Sequence, residues 1–401
     1  MYIGDRSHQS VARRNQRDVL SAVARNGPLP RTEIALKTGL HTASVSRITK
    51  SLIEAGLLRE KSEIAIPGKR GRRFVELEID PAGGYVIGIA INAFEQSVTL
   101  ANIRNERIDR VDLQLTDIRN ADAVISGIIE TVRQMIVRND VPRSRLLGAS
   151  VAVTGVIDTE TGDVIVAPPL GWENVALEQR LADGLNIRVT IENLPNAVNL
   201  AEYRFGIAAK YSTSFLMNTA LGVGSSLMLN GYLHRGHNRS GVLTGNVTVP
   251  AQYGDAMQRT LDLAAGGRGV LVEMGMSIAE AENLAPLDAT QMLLRVIDDA
   301  GKNDKQALEA LSRAGHALGA FMAHSGSVIQ PEAYIISGLL SRVPAYANAC
   351  KVALRKHLGI SDVVICVSEM TVQAAARWLA IGNYLIDNDL ETADLDATEA
   401  A

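Results

Sequence analysis

The stretch RTEIALKTGLHTASVSRITKSLIEAGLL, residues 31–58, decides the amino-terminal fold. Its spacing predicts two helices at an angle. Thr32 is placed to cap a short helix carrying Ile34, Ala35 and Leu36, and Gly39 supplies the tight turn that follows. In the next helix Val45, Ile48, Leu52 and Ile53 share one face at helical spacing. Thr42, Ser44, Ser46, Arg47 and Lys50 are left facing outward, a set of hydroxyls and cations suited to base edges and phosphates. Upstream, RRNQRDVLSAVARNG (13–27) aligns Val19, Leu20 and Val23 and stops at Gly27-Pro28. Downstream, Arg59 to Asp80 reads as two strands joined by a loop. That loop holds Gly68, Lys69, Arg70, Gly71, Arg72 and Arg73, a basic tip able to lie on phosphates or enter a minor groove. Residues 1–80 are thus predicted to form a winged helix-turn-helix that binds double-stranded DNA.

Charge partition points the same way. Residues 1–80 carry 15 Lys+Arg against 9 Asp+Glu, and the remainder carries 25 against 35. A head of +6 on a body of −10 concentrates attraction for DNA in the head.

At 401 residues and 47% apolar composition the chain has room for two to four domains with buried cores. Nothing approaches the roughly 20 apolar residues of a membrane span, and the amino terminus lacks a signal-peptide profile. Only Cys350 and Cys366 occur, with no paired spacing, which argues against disulfides and thiolate zinc and fits a cytoplasmic protein. The end of the chain, 387–401, carries six acids and no base and is expected to be a disordered acidic tail.

Beyond Gly84 apolar strand-like runs alternate with amphipathic helices: YVIGIAI, SVTLANI, a helix near 121–137, LLGASVAVTGVID, a helix near 175–184, and IRVTIEN. After Pro195 follow SFLMNTALGV, SSLMLNG, a mostly helical stretch from about 255 to 324, AYIISG and VVICV. This alternation predicts an α/β body of two lobes. The boundaries read as a first lobe over 81–194, completed by a returning helix at 371–386, and a second over 195–370. Pro195 opens a helix directly after a strand at that junction.

The ordered set GKRGR, YVIGIAI, VAVTGVIDTETGDV, LGW, IENLPNA and LGVGSSLMLNGYLHRGHNRSG resembles the ROK family (repressors, open reading frames and kinases), in its transcriptional-regulator branch. The resemblance covers nearly the whole chain. It implies an actin-like, hexokinase-like fold of two α/β lobes around a sugar-holding cleft. It further implies a homodimer or homotetramer acting on operators of carbohydrate genes, as a rule as a repressor.

The departures from the family pattern are chemical. Family kinases place an aspartate general base inside Glu-Asn-Asp-x-Asn; here the run is Glu192-Asn193-Leu194-Pro195-Asn196, and leucine accepts no proton. Ala90-Ile91-Asn92-Ala93 stands where the phosphate loop reads Asp-x-Gly-Gly, and Ser337-Gly338 runs into Leu339 instead of a second glycine. These losses predict no catalytic residue, no cofactor and no enzyme activity. Many family members also hold a zinc with one histidine and three cysteines. The matching positions fall near Asn246, Tyr253, Asp255 and Thr260, which cannot make a zinc–thiolate site. His234 and His237, beside Arg235 and Arg239, do not replace it.

Carried over from the family's sugar contacts, Gly155, Asn193, Asn246 and Asp262 are the candidate ligand residues. Trp172 beside Gly171 is better suited to core packing than to stacking on a ring. The resulting expectation is a DNA-binding regulator with an effector site between the lobes. Its rivals are a bifunctional sugar kinase with a DNA-binding head, and a regulator whose body docks a protein in place of a metabolite.

Overall fold

The computed structural model of the chain describes residues 4–61, 75–114, 117–236, 244–250 and 259–387. The basic loop residues Lys69, Arg70, Arg72 and Arg73, and the tail from 388, lie outside the described residues.

The head runs α1 (Gly4–Asn26), β1 (Leu29–Pro30), α2 (Arg31–Thr38), α3 (Thr42–Glu54), β2 (Leu58–Lys61) and β3 (Glu76–Ile79), with strand order β1-β3-β2. Gly39 closes α2 in the left-handed region at φ 69°, as the turn requires. Thr32 is not the cap. Leu29 and Pro30 pair with Leu77 and Glu76, so the chain enters α2 from a ladder at Pro30 and the helix starts at Arg31. Helix α1 is longer than its apolar pattern indicated, beginning at Gly4.

The first body sheet is built from β4 (Tyr85–Ile91), β5 (Gln96–Asn102), β6 (Arg107–Asp112), α4 (Ala121–Arg138), β7 (Leu146–Val153), β8 (Val156–Asp158), β9 (Asp163–Ala167), β10 (Trp172–Val175), α5 (Leu177–Leu185) and β11 (Val189–Asn193). Its order is β11-β7-β4-β5-β6, parallel in β11-β7-β4, with β8 to β10 forming a separate small antiparallel sheet. Helices α4 and α5 bury Val124, Ile128, Val132, Leu177 and Leu181 in the same core as Ile87, Ile89 and Val151. Trp172 sits in this core, 2% exposed, its indole N–H donating to Ile118 O at 2.9 Å. It is a packing residue.

Helix α6 (Leu194–Phe205) leads to the second sheet: β12 (Ser214–Thr219), β13 (Val223–Leu229) and β14 (Tyr232–His234). Then come β15 (Thr248–Val249), β16 (Arg259–Thr260), α7 (Leu261–Ala265), α8 (Gly267–Glu273), α9 (Ile278–Asn283), α10 (Pro286–Gly301), α11 (Lys305–Ile329), β17 (Ala333–Ser337), α12 (Pro344–Leu358) and β18 (Ile365–Val367). The order is β14-β13-β12-β17-β18. Helix α13 (Val372–Ile381) returns to pack on α6, β4 and β7, and ends in a π-helical turn, Gly382–Ile386.

Head and body share one apolar core. Val19, Leu20 and Val23 of α1, with Leu57, Leu58, Leu77 and Ile79, join Val86, Ile103 and Leu147 of the first sheet and Ile381, Tyr384, Leu385 and Ile386 of the carboxy-terminal turn. Polar groups fix the register of this contact. Glu78, 7% exposed, meets Arg59 of the head at 2.7 Å and Arg104 of the body at 3.6 Å. Tyr384 donates to Ala149 O at 2.9 Å, and burial pushes its phenol up to about 12, so it stays a donor.

Leu385 is 1% exposed in this shared core. Leu385→Ala is expected to cost about 2–5 kcal/mol, and to lower the melting of head and body together. Scanning calorimetry resolving two separate transitions, with only one displaced, would contradict a shared core.

Candidate functional site

Register places the candidate residues along two facing sheet edges. In the first sheet Ile91 and Asn193 both pair with Val153, so β4, β7 and β11 end level and release three loops on one edge. The carboxyl edge of parallel strands is where open α/β sheets bind ligands. In the second sheet Asn218 of β12 pairs with Ser337 of β17, and Thr219 pairs with Val223 across the β12–β13 turn. The two edges meet where a Cβ on Gly224 would lie 2.6 Å from Pro195 Cγ, so glycine is required for α6 to approach β13.

On the first edge Asn193 donates its side-chain amide to Gly155 O, which brings two candidates together. Gly155 sits at φ +128°, and a Cβ there would meet Val166 O and Ala167 Cβ at 2.7 Å. Its glycine is therefore demanded by strand β9. The turn from β11 into α6 is clamped by a residue the sequence pattern did not single out. Glu192, 3% exposed, accepts from Asn193 N–H at 3.0 Å and Asn196 Nδ2 at 2.9 Å, and pairs with Arg235 at 2.7 Å. Its place in the Glu192-Asn193-Leu194-Pro195-Asn196 run was the available signal. Leu194 is buried in the interlobe core with Ala152, Leu216 and Met228.

The β4–β5 turn is closed on itself. Asn92 Oδ1 accepts from Phe94 N–H at 3.1 Å and Glu95 N–H at 2.9 Å, so these two amides already have an acceptor. Glu95 adds a carboxylate there, held by Arg110 and Gln373.

On the second edge half-buried Asp262 accepts from Val223 N–H at 2.6 Å, and its own N–H donates to Gly245 O at 2.9 Å. Cβ atoms on Gly222 and Gly245 would sit 3.1 and 2.6 Å from its carboxylate, so both neighbours are small out of need. Asn246 follows Gly245 in an exposed turn, closed by Val247 N–H on Thr244 O. Asn246 and Asp262 are therefore neighbours, and Val223 and Gly224 link them to the α6 edge carrying Asn193 and Gly155. Thr260, at one of the expected zinc positions, instead caps α7 through Leu263 N–H. Tyr253, Asp255 and His237 lie outside the described residues.

Burial raises the Asp262 carboxyl above the usual carboxylate range, against the lowering effects of the Val223 hydrogen bond and the Arg268 charge.

In the head, Thr42, Ser46, Arg47 and Lys50 are exposed along α3 and Ser44 is half-buried, while Thr49 beside them is buried. Lys50 lies 3.8 Å from Glu54, one turn on, in an exposed pair that holds it only weakly. Arg31 braces the helix by donating to Thr49 Oγ1 and pairing with Glu60 of β2.

A family model described as the ROK family matches residues 87–381. The chain belongs to the ROK family. A second model, of the MarR family, matches residues 13–64, the segment folded as the winged head. Among relatives, a transcriptional regulator of Mycobacterium tuberculosis is 28% identical over 328 residues, spanning 80% of this chain and 73% of that one. The N-acetylglucosamine repressor of Escherichia coli O157:H7 is 24% identical over 338 residues, spanning 82% and 81%. Among solved structures, a ROK family transcriptional regulator, a homologue of the Escherichia coli MLC protein, superposes with TM-score 0.73 at 20% identity, covering 96% of this chain and 99% of its own. A ROK glucokinase from Streptomyces griseus, solved with glucose and AMPPNP, reaches 0.59 at 18% identity, covering 74% and 98%. This ROK chain thus has the two-lobed actin-like body behind a winged helix-turn-helix, a fold common to kinases and regulators. Among the described residues no helix is long and apolar enough to cross a membrane.

A carboxyl whose pKa is raised on folding stabilises below its unfolded value and loses that contribution as pH rises through the folded value. Asp262→Asn, which keeps an acceptor for Val223 N–H, is therefore expected to melt higher than the parent at pH 7. The gap should close on acidification toward pH 4. Melting curves with the opposite order at pH 7 would show that the charge is not strained.

Proposed function

We propose that this ROK protein is a sequence-specific transcriptional regulator, acting as a repressor of carbohydrate-related genes. In this reading α3 enters the major groove of an operator, with Thr42, Ser44, Ser46, Arg47 and Lys50 toward the bases and phosphates. Lys69, Arg70, Arg72 and Arg73 of the loop between β2 and β3 hold the flanking backbone. The cleft between the two sheet edges takes a sugar or sugar derivative, met by Asn193, Asn246 and Asp262 where the Gly155 carbonyl orients Asn193. Two or four copies place paired heads on half-sites.

The observation that carries the absence of phosphoryl transfer is the state of the two catalytic positions. Leu194 is part of the interlobe core, and in the β4–β5 turn Asn92 Oδ1 accepts from Phe94 and Glu95 N–H. Transfer needs a proton acceptor beside the attacking hydroxyl, and leucine at position 194 supplies none. The cleft keeps hydroxyl-pairing groups while the family's base position is apolar, which suits recognition over turnover.

Effector binding acts by population shift between lobe arrangements. Helix α6 starts at the cleft and ends against the head: Arg25 of α1 donates to the carbonyl of Arg204, and Phe205 stacks on Trp378 with ring centroids 4.1 Å apart. Any ligand that shifts α6 against α13 therefore alters the seat of the head. A coupling of about 1–3 kcal/mol is enough to release an operator.

Arg47→Ala is expected to weaken duplex binding about tenfold with an unchanged melting temperature, since Arg47 is exposed. Anisotropy titrations that leave affinity and salt dependence unaltered would remove α3 as the reader. For the cleft, thermal-shift screening of monosaccharides, amino sugars and sugar phosphates should find a stabilising compound, worth about 2.7 kcal/mol at a hundredfold excess over Kd. Asn193→Ala with Asp262→Ala should abolish that shift. Turnover of ATP with any sugar of the panel would overturn the reading of Leu194.

A further inference from the structure

Helix α1 has 23 residues, and among the described residues it contributes to the buried core of the head through Val19, Leu20 and Val23 of its second half. The family match to the winged head begins at residue 13, and the helix continues nine residues before it. Ahead of the packed half, Arg13, Arg14 and Arg17 are all exposed. At 100° per residue they occupy an arc of about 100°, beside the arc of the buried residues and not opposite it.

The direction of α1 gives that strip a place. Its carboxyl end is pinned to the body, where Arg25 donates to Arg204 O. Arg13 lies twelve residues earlier, about 18 Å along the axis from that anchor. Helix α3 is oriented alike. The residue after its cap, Gly56, is so close to the body that a Cβ on Gly83 would lie 2.3 Å from its carbonyl oxygen. Thr42 opens α3 twelve residues before Glu54, again about 18 Å away. Both helices thus have their carboxyl ends at the body, with Arg13 and Thr42 each about 18 Å along its own helix axis from that end. They touch each other within the head, so the arginines of one and the exposed polar face of the other lie on neighbouring helices.

We propose that Arg13, Arg14 and Arg17 form a second DNA contact, a sequence-independent cationic strip that holds phosphates flanking the base pairs read by α3. The inference rests on α3 being the reader. Guanidinium groups suit phosphate oxygens through paired N–H donors, and contacts of this kind set the docking angle without reading sequence. The strip extends the interface past the recognition helix and adds to counterion release.

The test uses the full chain and a mixed-sequence 30-base-pair duplex, with affinity measured by anisotropy across a series of KCl concentrations. Each phosphate contact contributes about 0.9 to the slope of log affinity against log salt. Arg13→Gln/Arg14→Gln/Arg17→Gln should lower that slope by about 2 to 3 and weaken binding at least tenfold at low salt. Arg14→Gln/Arg17→Gln, a smaller change for use if the triple variant folds poorly, should lower the slope by about 2. Arg355→Gln/Lys356→Gln, at the exposed carboxyl end of α12, removes charge elsewhere and should leave the slope unchanged. If the strip variants keep the parent slope while Arg47→Ala lowers it, the strip is overturned and α3 stands. If neither changes it, both fall. If the α12 variant moves the slope as much as the strip does, the effect is net charge and the strip is overturned.

Discussion

The apolar contact between head and body is the constraint on which the rest of this molecule depends. Ile79 ends the last head strand and Tyr85 begins the first body strand, with only a turn between them, capped by Asp80 on Ala82 N–H. There is no length of chain in which the head could swing freely. Instead the buried faces of α1, β2 and β3 close against the back of the first sheet and the π-helical turn. Each of these residues is nearly inaccessible, and separating them would expose a continuous apolar surface to water. The winged head is therefore seated on the first sheet and the carboxy-terminal turn through one buried core.

That arrangement gives α6 a particular role. It leaves the first sheet at Asn193, runs 12 residues between the lobes and ends beside the head. Its middle is tied to the second sheet by Asn199, which accepts from Ser214 and donates to Ser226. Its end is tied to the carboxy-terminal turn by Arg204, which reaches Asn383 and Asp387. Burial pulls the Arg204 guanidinium below its ordinary value, with Asp387 opposing that effect. A buried cation has few tolerable positions, because any shift that opens its pair leaves a charge desolvated and unmatched. One helix thus carries contacts to both sheets and to the head, and its rigid length couples them.

How far the amino-acid pattern reached follows from where the physics is local. Helix α3 was legible because Val45 and Leu52 repeat at helical spacing and Gly39 takes the left-handed turn conformation without a steric penalty. Strands β4 and β7 were legible because they are buried on both faces and read as unbroken apolar runs. Strand β6 was not. Its sequence RIDRVD lies on an open sheet edge, where charge protects against wrong pairing and hides the strand. The start of α1 was missed for a related reason, since polar residues ahead of the core leave no apolar period to read. At the start of α6 residue type alone marked Leu194, because leucine accepts no proton. The Glu192–Arg235 pair and the Asn92 turn depend on which groups the fold brings within hydrogen-bonding reach of one another, and no linear spacing encodes Arg235 opposite Glu192.

The two carboxylates at the facing sheet edges differ in how fully the fold uses them. Glu192 has a structural task in full: its oxygens accept from the turn backbone, from Asn196 and from Arg235, and together these hold the strand-to-helix junction. Asp262 has no comparable set. Its bond to Val223 N–H would be served equally by an amide, and burial works against its charge. The fold gains little from an ionised group there. A ligand bearing hydroxyls gains much, because a half-buried carboxylate with an unused lone-pair site is a strong acceptor in a place where water competes poorly.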